Sequence, residues 1–180
     1  MRQVGSRLAL SILAAVFLIL PGSHVAAEPE GGGEKPHPKA ENPADQVVIE
    51  NVEVRLSDHG PVILLSAENR IIPIFVDPTV AGSIQSALTG RKMRRPLSHD
   101  LMHTILEGFG GKVTKTVITL KDGIYYAALS ITMASGSKVF DSRSSDAIAL
   151  AVHFKAPIIV GRELLESAGK EPFKEKPQIL

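Results

Sequence analysis

The chain has 180 residues, 44% hydrophobic and 22% charged, which fits one globular domain rather than a disordered chain. Its 20 Lys and Arg residues nearly balance 19 Asp and Glu residues, so any nucleic-acid site must be a local basic patch. The lack of cysteine excludes disulfide scaffolds, thiolate zinc sites, iron–sulfur clusters and cysteine nucleophiles, and an aromatic content of 4% disfavours recognition of bases by aromatic stacking.

Residues 1–27 are typical of a secretory signal peptide. Arg2 and Arg7 give a positively charged start. The apolar run over 8–20 has the length of a signal core, ~7–15 residues, and is shorter than the ~20 residues of a membrane-spanning helix. Cleavage is expected after Ala27, and an uncleaved N-terminal anchor is the alternative. The sequence therefore predicts export to the periplasm or the medium, with no stable membrane span after cleavage.

Three further segments follow the predicted signal. Residues 28–45 are rich in Pro and Gly and nearly free of apolar side chains, which predicts a disordered linker. Residues 46–169 form the predicted domain, and residues 170–180 form a polar tail.

The N-terminal half of this domain is predicted to form strands and one helix. Strands are indicated by alternating or short apolar runs over 47–56, 62–67 and 71–76. Pro73 suggests an edge strand or a bulge in the last of these. Asp77 followed by Pro78 is typical of a helix start, and Gly90 of a helix end.

The C-terminal half is predicted to alternate helices and strands. A helix over 98–109 begins with Ser98 as its N-cap, and a hairpin joins 112–120 to 124–133 through Asp122 and Gly123. The remaining elements are predicted as a strand over 138–141, a helix over 146–154 capped by Ser144 or Ser145, a strand over 157–160 and a helix over 163–168. This order predicts an α+β fold: a single compact domain, mostly antiparallel β-hairpins with three to four helices.

The loop over 91–95 holds four cationic residues and leads directly into the helix over 98–109. Arginine side chains beside the free N–H groups of a helix start form a good phosphate site. Arg94, Arg95 and Ser98 are therefore candidate phosphate ligands. A solvated surface loop is the alternative.

The helix over 98–109 has an apolar side and a polar side. At ~100° per residue, the apolar side gathers Leu101, Met102, Ile105, Leu106 and Phe109, and the polar side His99, Asp100, His103, Thr104 and Glu107. His99 and His103 lie one turn apart, as metal ligands on a helix do, but no third ligand follows in a recognisable pattern. The alternative is a solvated polar face.

A second polar group precedes the apolar helix over 146–154. Asp141 and Asp146 form a carboxylate pair able to hold a divalent cation, and Arg143 and Ser145 are candidate phosphate ligands. The alternative is a helix cap with an Asp–Arg pair that satisfies free backbone donors.

Several motifs together resemble the bifunctional nuclease domain family. They are the segments RPLSHDL at 95–101, KDGIYYA at 121–127, DSRSSDAIALA at 141–151, API at 156–158 and IPI at 72–74. The resemblance implies an α+β domain and nuclease activity, which covers RNA and DNA in the plant members. The shared polar residues are His99, Asp100, Asp141, Arg143, Ser145 and Asp146, whereas Ser144 stands where the family usually has Pro.

These observations predict an exported nuclease that hydrolyses phosphodiester bonds in RNA and/or DNA with a divalent metal, Mg²⁺ or Mn²⁺. The predicted catalytic residues are His99, Asp100, Asp141 and Asp146. The predicted phosphate ligands are Arg94, Arg95, Ser98, Arg143 and Ser145, and the predicted metal ligands are Asp141 and Asp146. We also expect a homo-oligomer. The alternative is a non-catalytic anion- or protein-binding module that keeps the nuclease-family fold.

Overall fold

The computed structural model describes residues 45–91 and 93–170, which belong to one compact unit of the chain. The predicted signal peptide, nearly all of the predicted linker and the tail beyond Lys170 lie outside the described residues. The described elements are β1 (Gln46–Val48), β2 (Asn51–Ser57), β3 (Gly60–Ala67), β4 (Arg70–Phe75), α1 (Pro78–Thr89), α2 (Ser98–Gly108), β5 (Lys112–Lys121), β6 (Ile124–Met133), β7 (Gly136–Arg143), α3 (Ser144–Phe154), β8 (Ile158–Gly161) and α4 (Arg162–Ala168). The α+β class predicted from sequence is confirmed. None of the described helices is long and apolar enough to cross a membrane.

The strands form two sheets. The larger sheet has the order β1-β8-β5-β6-β7, and all of its pairs are antiparallel except β5 with β8. The smaller sheet is an antiparallel meander of β2, β3 and β4. The predicted hairpin between β5 and β6 is confirmed, and Asp122 and Gly123 at its turn have φ angles of 53° and 76°, as a type I′ turn requires.

The strand predicted over 47–56 is in fact two strands, one in each sheet. Between them, the N–H of Ile49 donates to Ile158 O (2.8 Å) and the N–H of Glu50 donates to Ser66 O (2.8 Å). The chain therefore leaves the large sheet at one residue and joins the small sheet at the next. Alternation of apolar and polar residues continues through this crossing, so the pattern by itself gave no sign of it.

The first helix begins and ends where the sequence predicts. The side chain of Asp77 accepts hydrogen bonds from the N–H groups of Thr79 (2.9 Å) and Val80 (3.0 Å), and Pro78 opens the helix. Gly90 ends the helix in the left-handed region, with φ of 69°. The expectation of an edge strand at Pro73 is also confirmed, since β4 lies at the edge of the small sheet.

One apolar core is shared by both sheets and by α1, α3 and α4. Ile63 and Leu65 of β3, Ile84 of α1, Ile118 of β5 and Ile148 of α3 are fully buried in it. Each such side chain stabilises the fold by ~1.5–3 kcal/mol through burial of apolar surface. The prediction that the helix over 146–154 is a buried core helix is confirmed, because residues 147–151 are all buried. Because this helix is packed against the core, the polar residues near its two ends are held in fixed positions.

Candidate functional site

Helix α2 begins one residue earlier than its predicted cap implies. Leu97 is the N-cap and Ser98 is the first helical residue, so the prediction of Ser98 as N-cap is wrong. The Leu97 N–H donates to Asp100 Oδ2 at 2.7 Å, so the carboxylate of the first turn caps the backbone. Ser98 lies exposed in this first turn.

Helix α2 turns its polar side toward the protein and most of its apolar side toward solvent. His99 is only 3% exposed, whereas Leu101, Ile105 and Phe109 are 54%, 47% and 74% exposed. The helix packs on α3, which presents ionisable side chains toward it. The alternative of a solvated polar face therefore holds for Thr104 and Glu107 but not for His99, which is buried.

Helix α3 begins directly after strand β7. Arg143 is its N-cap with an extended backbone, and Ser144 is the first helical residue, so the predicted serine caps are wrong. The Arg143 guanidinium folds back onto the first turn and donates to Asp146 Oδ2 (2.7 Å) and Oδ1 (2.9 Å). This pair is the Asp–Arg pair that the sequence gave as an alternative, and it fixes both side chains in a two-pronged geometry.

His99 joins this pair from the neighbouring helix. Its Nε2 lies 3.1 Å from Asp146 Oδ1, across 47 residues of sequence. Burial by itself raises the pKa of Asp146, but the hydrogen bonds from Arg143 and His99 outweigh burial and hold that pKa below its ordinary value. Asp146 is therefore a carboxylate at neutral pH, and His99 donates to it through Nε2. Three residues predicted from two separate motifs thus form one group, the His99–Asp146–Arg143 cluster.

The two ends of this cluster differ in access to solvent. The Arg143 side chain is 72% exposed, while the imidazole of His99 is 4% exposed and its Nδ1 is buried without a hydrogen-bond partner among the described residues. A ligand approaching from solvent meets Arg143 first. The burial of His99 favours a role in positioning Asp146 and Arg143.

A second polar group lies at the other end of α3 and includes residues that sequence reasoning missed. His153 Nε2 lies 2.9 Å from the hydroxyl of Ser83 on α1 and 3.6 Å from Asp100 Oδ1. The His153 ring lies 5.6 Å from that of His103, and Glu107 Oε2 is 3.5 Å from His103 Nδ1. Burial lowers the pKa of His153, and this outweighs the opposing effect of Asp100.

The sequence held a signal for His153. It lies seven residues after Asp146, and two helical turns bring such positions to the same face. Ser83 gave no comparable signal, because its role depends on how α1 packs against α3.

The other candidates lie apart from these two groups. Arg94 and Arg95 are exposed in the loop before α2, and Ser145 is half-buried in the first turn of α3. Asp141 is exposed on β7, in register with Ala128 of β6.

The predicted metal ligands do not form a ready-made divalent site. Asp146 accepts hydrogen bonds from Arg143 on both of its oxygens, and Oδ1 also faces His99. Within residues 45–91 and 93–170, no group of three or more His, Cys, Asp and Glu side chains is arranged to hold a metal ion. Asp141 and Asp146 therefore offer no preassembled donor set for Mg²⁺ or Mn²⁺ among the described residues.

A cleft of about 670 Å³ opens beside the second polar group. Asp100, His103, Thr104 and Glu107 form its α2 wall, and His153 forms part of its α3 wall. Asp100 is the predicted catalytic residue that lines this cleft.

Comparison with known families places this arrangement in context. Residues 62–172, more than half of the chain, match the model of the bifunctional nuclease domain. The chain belongs to the bifunctional nuclease domain family. The matched segment contains both polar groups and all four helices, so the resemblance inferred from the motifs is confirmed.

Individual proteins are also similar to this chain over more than half of its length. An uncharacterized protein of Mycobacterium tuberculosis, found in two strains, is 29% identical over 133 residues, which cover 69% of this chain and 76% of that protein. Bifunctional nuclease 1 of Arabidopsis thaliana is 30% identical over 116 residues, 61% of this chain and 36% of the plant protein. The plant protein thus extends well beyond the shared domain.

Proposed function

We propose that this protein is an exported nuclease that hydrolyses phosphodiester bonds in RNA and/or DNA. The observation that carries the proposal is the His99–Asp146–Arg143 cluster. It joins the two polar motifs of a bifunctional nuclease domain into one group, although 47 residues separate them in sequence.

Arg143 is the phosphate-binding residue of this proposal. Its Nε and Nη2 donate to Asp146, which leaves Nη1 of a largely exposed guanidinium for a phosphate oxygen. A guanidinium held in place before the substrate arrives stabilises the charge that develops on phosphate in the transition state. His99 and Asp146 act by holding it there.

Asp100 is the carboxylate that we assign to the attacking water. Its Oδ2 is held by the Leu97 N–H, while Oδ1 faces the cleft wall beside His153. In the proposed step, Asp100 accepts a proton from the attacking water as the water oxygen bonds to phosphorus. The P–O bond to the leaving oxygen breaks, and a solvent water protonates that oxygen. Metal assistance, with Asp141 and Asp146 as ligands, stays a prediction that the assay below addresses.

The test is a cleavage assay on labelled single- and double-stranded RNA and DNA, run with Mg²⁺, Mn²⁺ or EDTA. Arg143→Gln is compared with Arg162→Gln, because Arg162 also forms a two-pronged pair with a surface carboxylate, Glu68. Loss of one preorganised donor costs ~10²–10³-fold in rate, so we expect a loss of that size for Arg143→Gln and a change of less than about twofold for Arg162→Gln.

Equal activity of the two variants would remove Arg143 from the mechanism. Cleavage that persists in EDTA would show that the predicted metal is dispensable. No cleavage by the wild-type protein under any condition would reject the nuclease proposal.

A second candidate function is a protein-binding module that keeps the nuclease-family fold. The observation that favours it is the outer face of α2, formed by Leu101, Met102, Ile105 and Phe109, which are all exposed. Apolar side chains grouped on an exposed face are typical of interaction surfaces. We propose that a second copy of this chain covers this face, consistent with the expected homo-oligomer.

A further inference from the structure

The cleft beside α2 combines cationic, imidazole and apolar side chains at its rim. Arg91 and Lys155 are exposed cations in its lining, and His103 and His153 are its imidazoles. Leu88 and Met93 add apolar surface, since they are 42% and 54% exposed. A volume of about 670 Å³ is within the ~300–1,000 Å³ of small-ligand sites.

The carboxylates that line the cleft have partners within the protein, whereas two of its cations do not. Both carboxylates already face protein groups: Asp100 caps α2 and lies beside His153, and Glu107 lies 3.5 Å from His103. The side chains of Arg91 and Lys155 have no ion-pair or hydrogen-bond partner among the described residues. The cleft therefore offers an incoming anion two cations without protein partners, and each of its two carboxylates lies beside a histidine.

We propose that this cleft binds one nucleotide unit of a nucleic-acid strand, with its phosphate at Arg91, Lys155 and His103 and its base against Leu88 and Met93. The inference rests on the proposed function only in taking the ligand to be part of a nuclease substrate. It adds a phosphate position at Arg91, Lys155 and His103, which lie in none of the family motifs. Of the catalytic residues and phosphate ligands predicted from sequence, only Asp100 also lines the cleft.

The loop before α2 supplies a matched control. Arg91 and Arg95 lie four residues apart in the same basic loop and both are exposed, but Arg91 lines the cleft and Arg95 does not. If the loop attracted polyanions in general, substitution of either arginine would weaken binding equally. If the nucleotide binds in the cleft, only substitution of Arg91 weakens binding.

The experiment measures binding of adenosine 5′-monophosphate to the full chain by titration calorimetry. Inorganic phosphate and adenosine serve as separate probes. A charge-assisted hydrogen bond is lost in Arg91→Gln and Lys155→Gln, so we expect each variant to bind the nucleotide about tenfold more weakly. Arg95→Gln is expected to bind this single nucleotide within about twofold of wild type, because the phosphate contact predicted for Arg95 in a nucleic-acid strand lies outside the cleft.

The histidine signals provide a second readout that a structural role would not move. In NMR spectra, the bound nucleotide should shift the imidazole proton signals of His103, because the proposed phosphate position lies beside that ring. The same shift should be smaller in Arg91→Gln, where the phosphate is held less firmly.

The outcomes separate this inference from the proposed function. Tight nucleotide binding that Arg91→Gln weakens supports the cleft, even if the wild-type protein cleaves no nucleic acid. If Arg91→Gln and Arg95→Gln bind the nucleotide equally well, nucleotide binding in the cleft is overturned. The nuclease proposal stays intact in that case if the wild-type protein cleaves nucleic acid. Equal affinity for phosphate and for the nucleotide overturns the assignment of Leu88 and Met93 to the base.

Discussion

His99 shows how one buried imidazole organises the exposed part of the site. Its Nε2 reaches Asp146, and Asp146 in turn holds both prongs of the Arg143 guanidinium. Hydrogen bonds to a charged partner contribute ~1.5–3 kcal/mol each, less where solvent reaches them. The cluster therefore stabilises the contact between α2 and α3 while it presents Arg143 to solvent.

Asp146→Asn is expected to lower the melting temperature at pH 7. Loss of about 1 kcal/mol corresponds to ~4 °C for a domain of this size. The folded-state pKa of Asp146 is depressed, so its stabilisation is present above the unfolded pKa and is lost as the pH falls through the folded one. The difference between wild type and variant should therefore shrink as the pH falls below the unfolded value of about 3.9, and vanish once the pH is below the folded-state pKa.

Asp141→Asn is the control for this measurement. Asp141 is also a carboxylate near the start of α3, but it lies exposed on β7. Thermal unfolding followed by circular dichroism should show little change for it at any pH. Equal losses in both variants would mean that net charge, rather than the His99–Asp146–Arg143 cluster, sets the stability.

Helix α2 shows that periodicity predicts a helix and its two sides but not which side is buried. The apolar residues do gather on one side, as predicted, yet four of them form an exposed outer face. His99 and Asp100 of the polar side face inward because α3 offers them partners at Asp146 and His153, and Ser83 of α1 contacts His153 in turn. Burial of an ionisable side chain between helices costs little free energy of folding when that side chain has a hydrogen-bond or ion-pair partner.

The outer face of α2 is expected to be a subunit interface. Symmetric pairing of this face would remove Ile105 and Phe109 from water, and large apolar side chains are worth ~1.5–3 kcal/mol each on burial. Light scattering after gel filtration should therefore give a dimer or larger for wild type. Ile105→Lys should shift the protein to monomer with unchanged helical circular dichroism.

Leu56→Lys is the matched control for that prediction. Leu56 is also an exposed apolar residue, at 83%, but it lies on β2. The Leu56→Lys substitution should leave the molecular mass in solution unchanged. A wild-type monomer, or dissociation by both substitutions alike, would contradict an interface at the outer face of α2.

At the scale of the whole molecule, we predict that the N-terminal segment directs export. The full chain, expressed in a bacterium with a general secretion system, should yield a mature protein whose mass corresponds to residues 28–180. Ala27→Asp should block this cleavage, because the position before the cut requires a small residue. Ala26→Asp, one position earlier, should be tolerated. An exported protein that still begins at Met1 would support an uncleaved anchor.

The candidate site was predictable where function coincides with a helix start. His99, Asp100, Arg143 and Asp146 lie in the first turn or cap of α2 and α3, where polar residues stand out before apolar runs. Ser83 was missed because it lies inside a helix and looks like an ordinary residue. The spacing of His153 from Asp146 places the two on one face of α3, but it does not show what that face contacts. Only the packing of α1, α2 and α3 gives them partners.

The sequence by itself determined the class of fold, most element positions and the two polar motifs, because periodicity, caps and turn residues act over a few neighbouring residues. The tertiary structure decided which strands share a sheet, which side of α2 is buried and which charges meet. Ile49 and Glu50 change sheets, and His99 reaches Asp146, through contacts between residues far apart in the chain. Such contacts depend on how complete elements pack around a common core, and no local pattern of residues encodes that geometry.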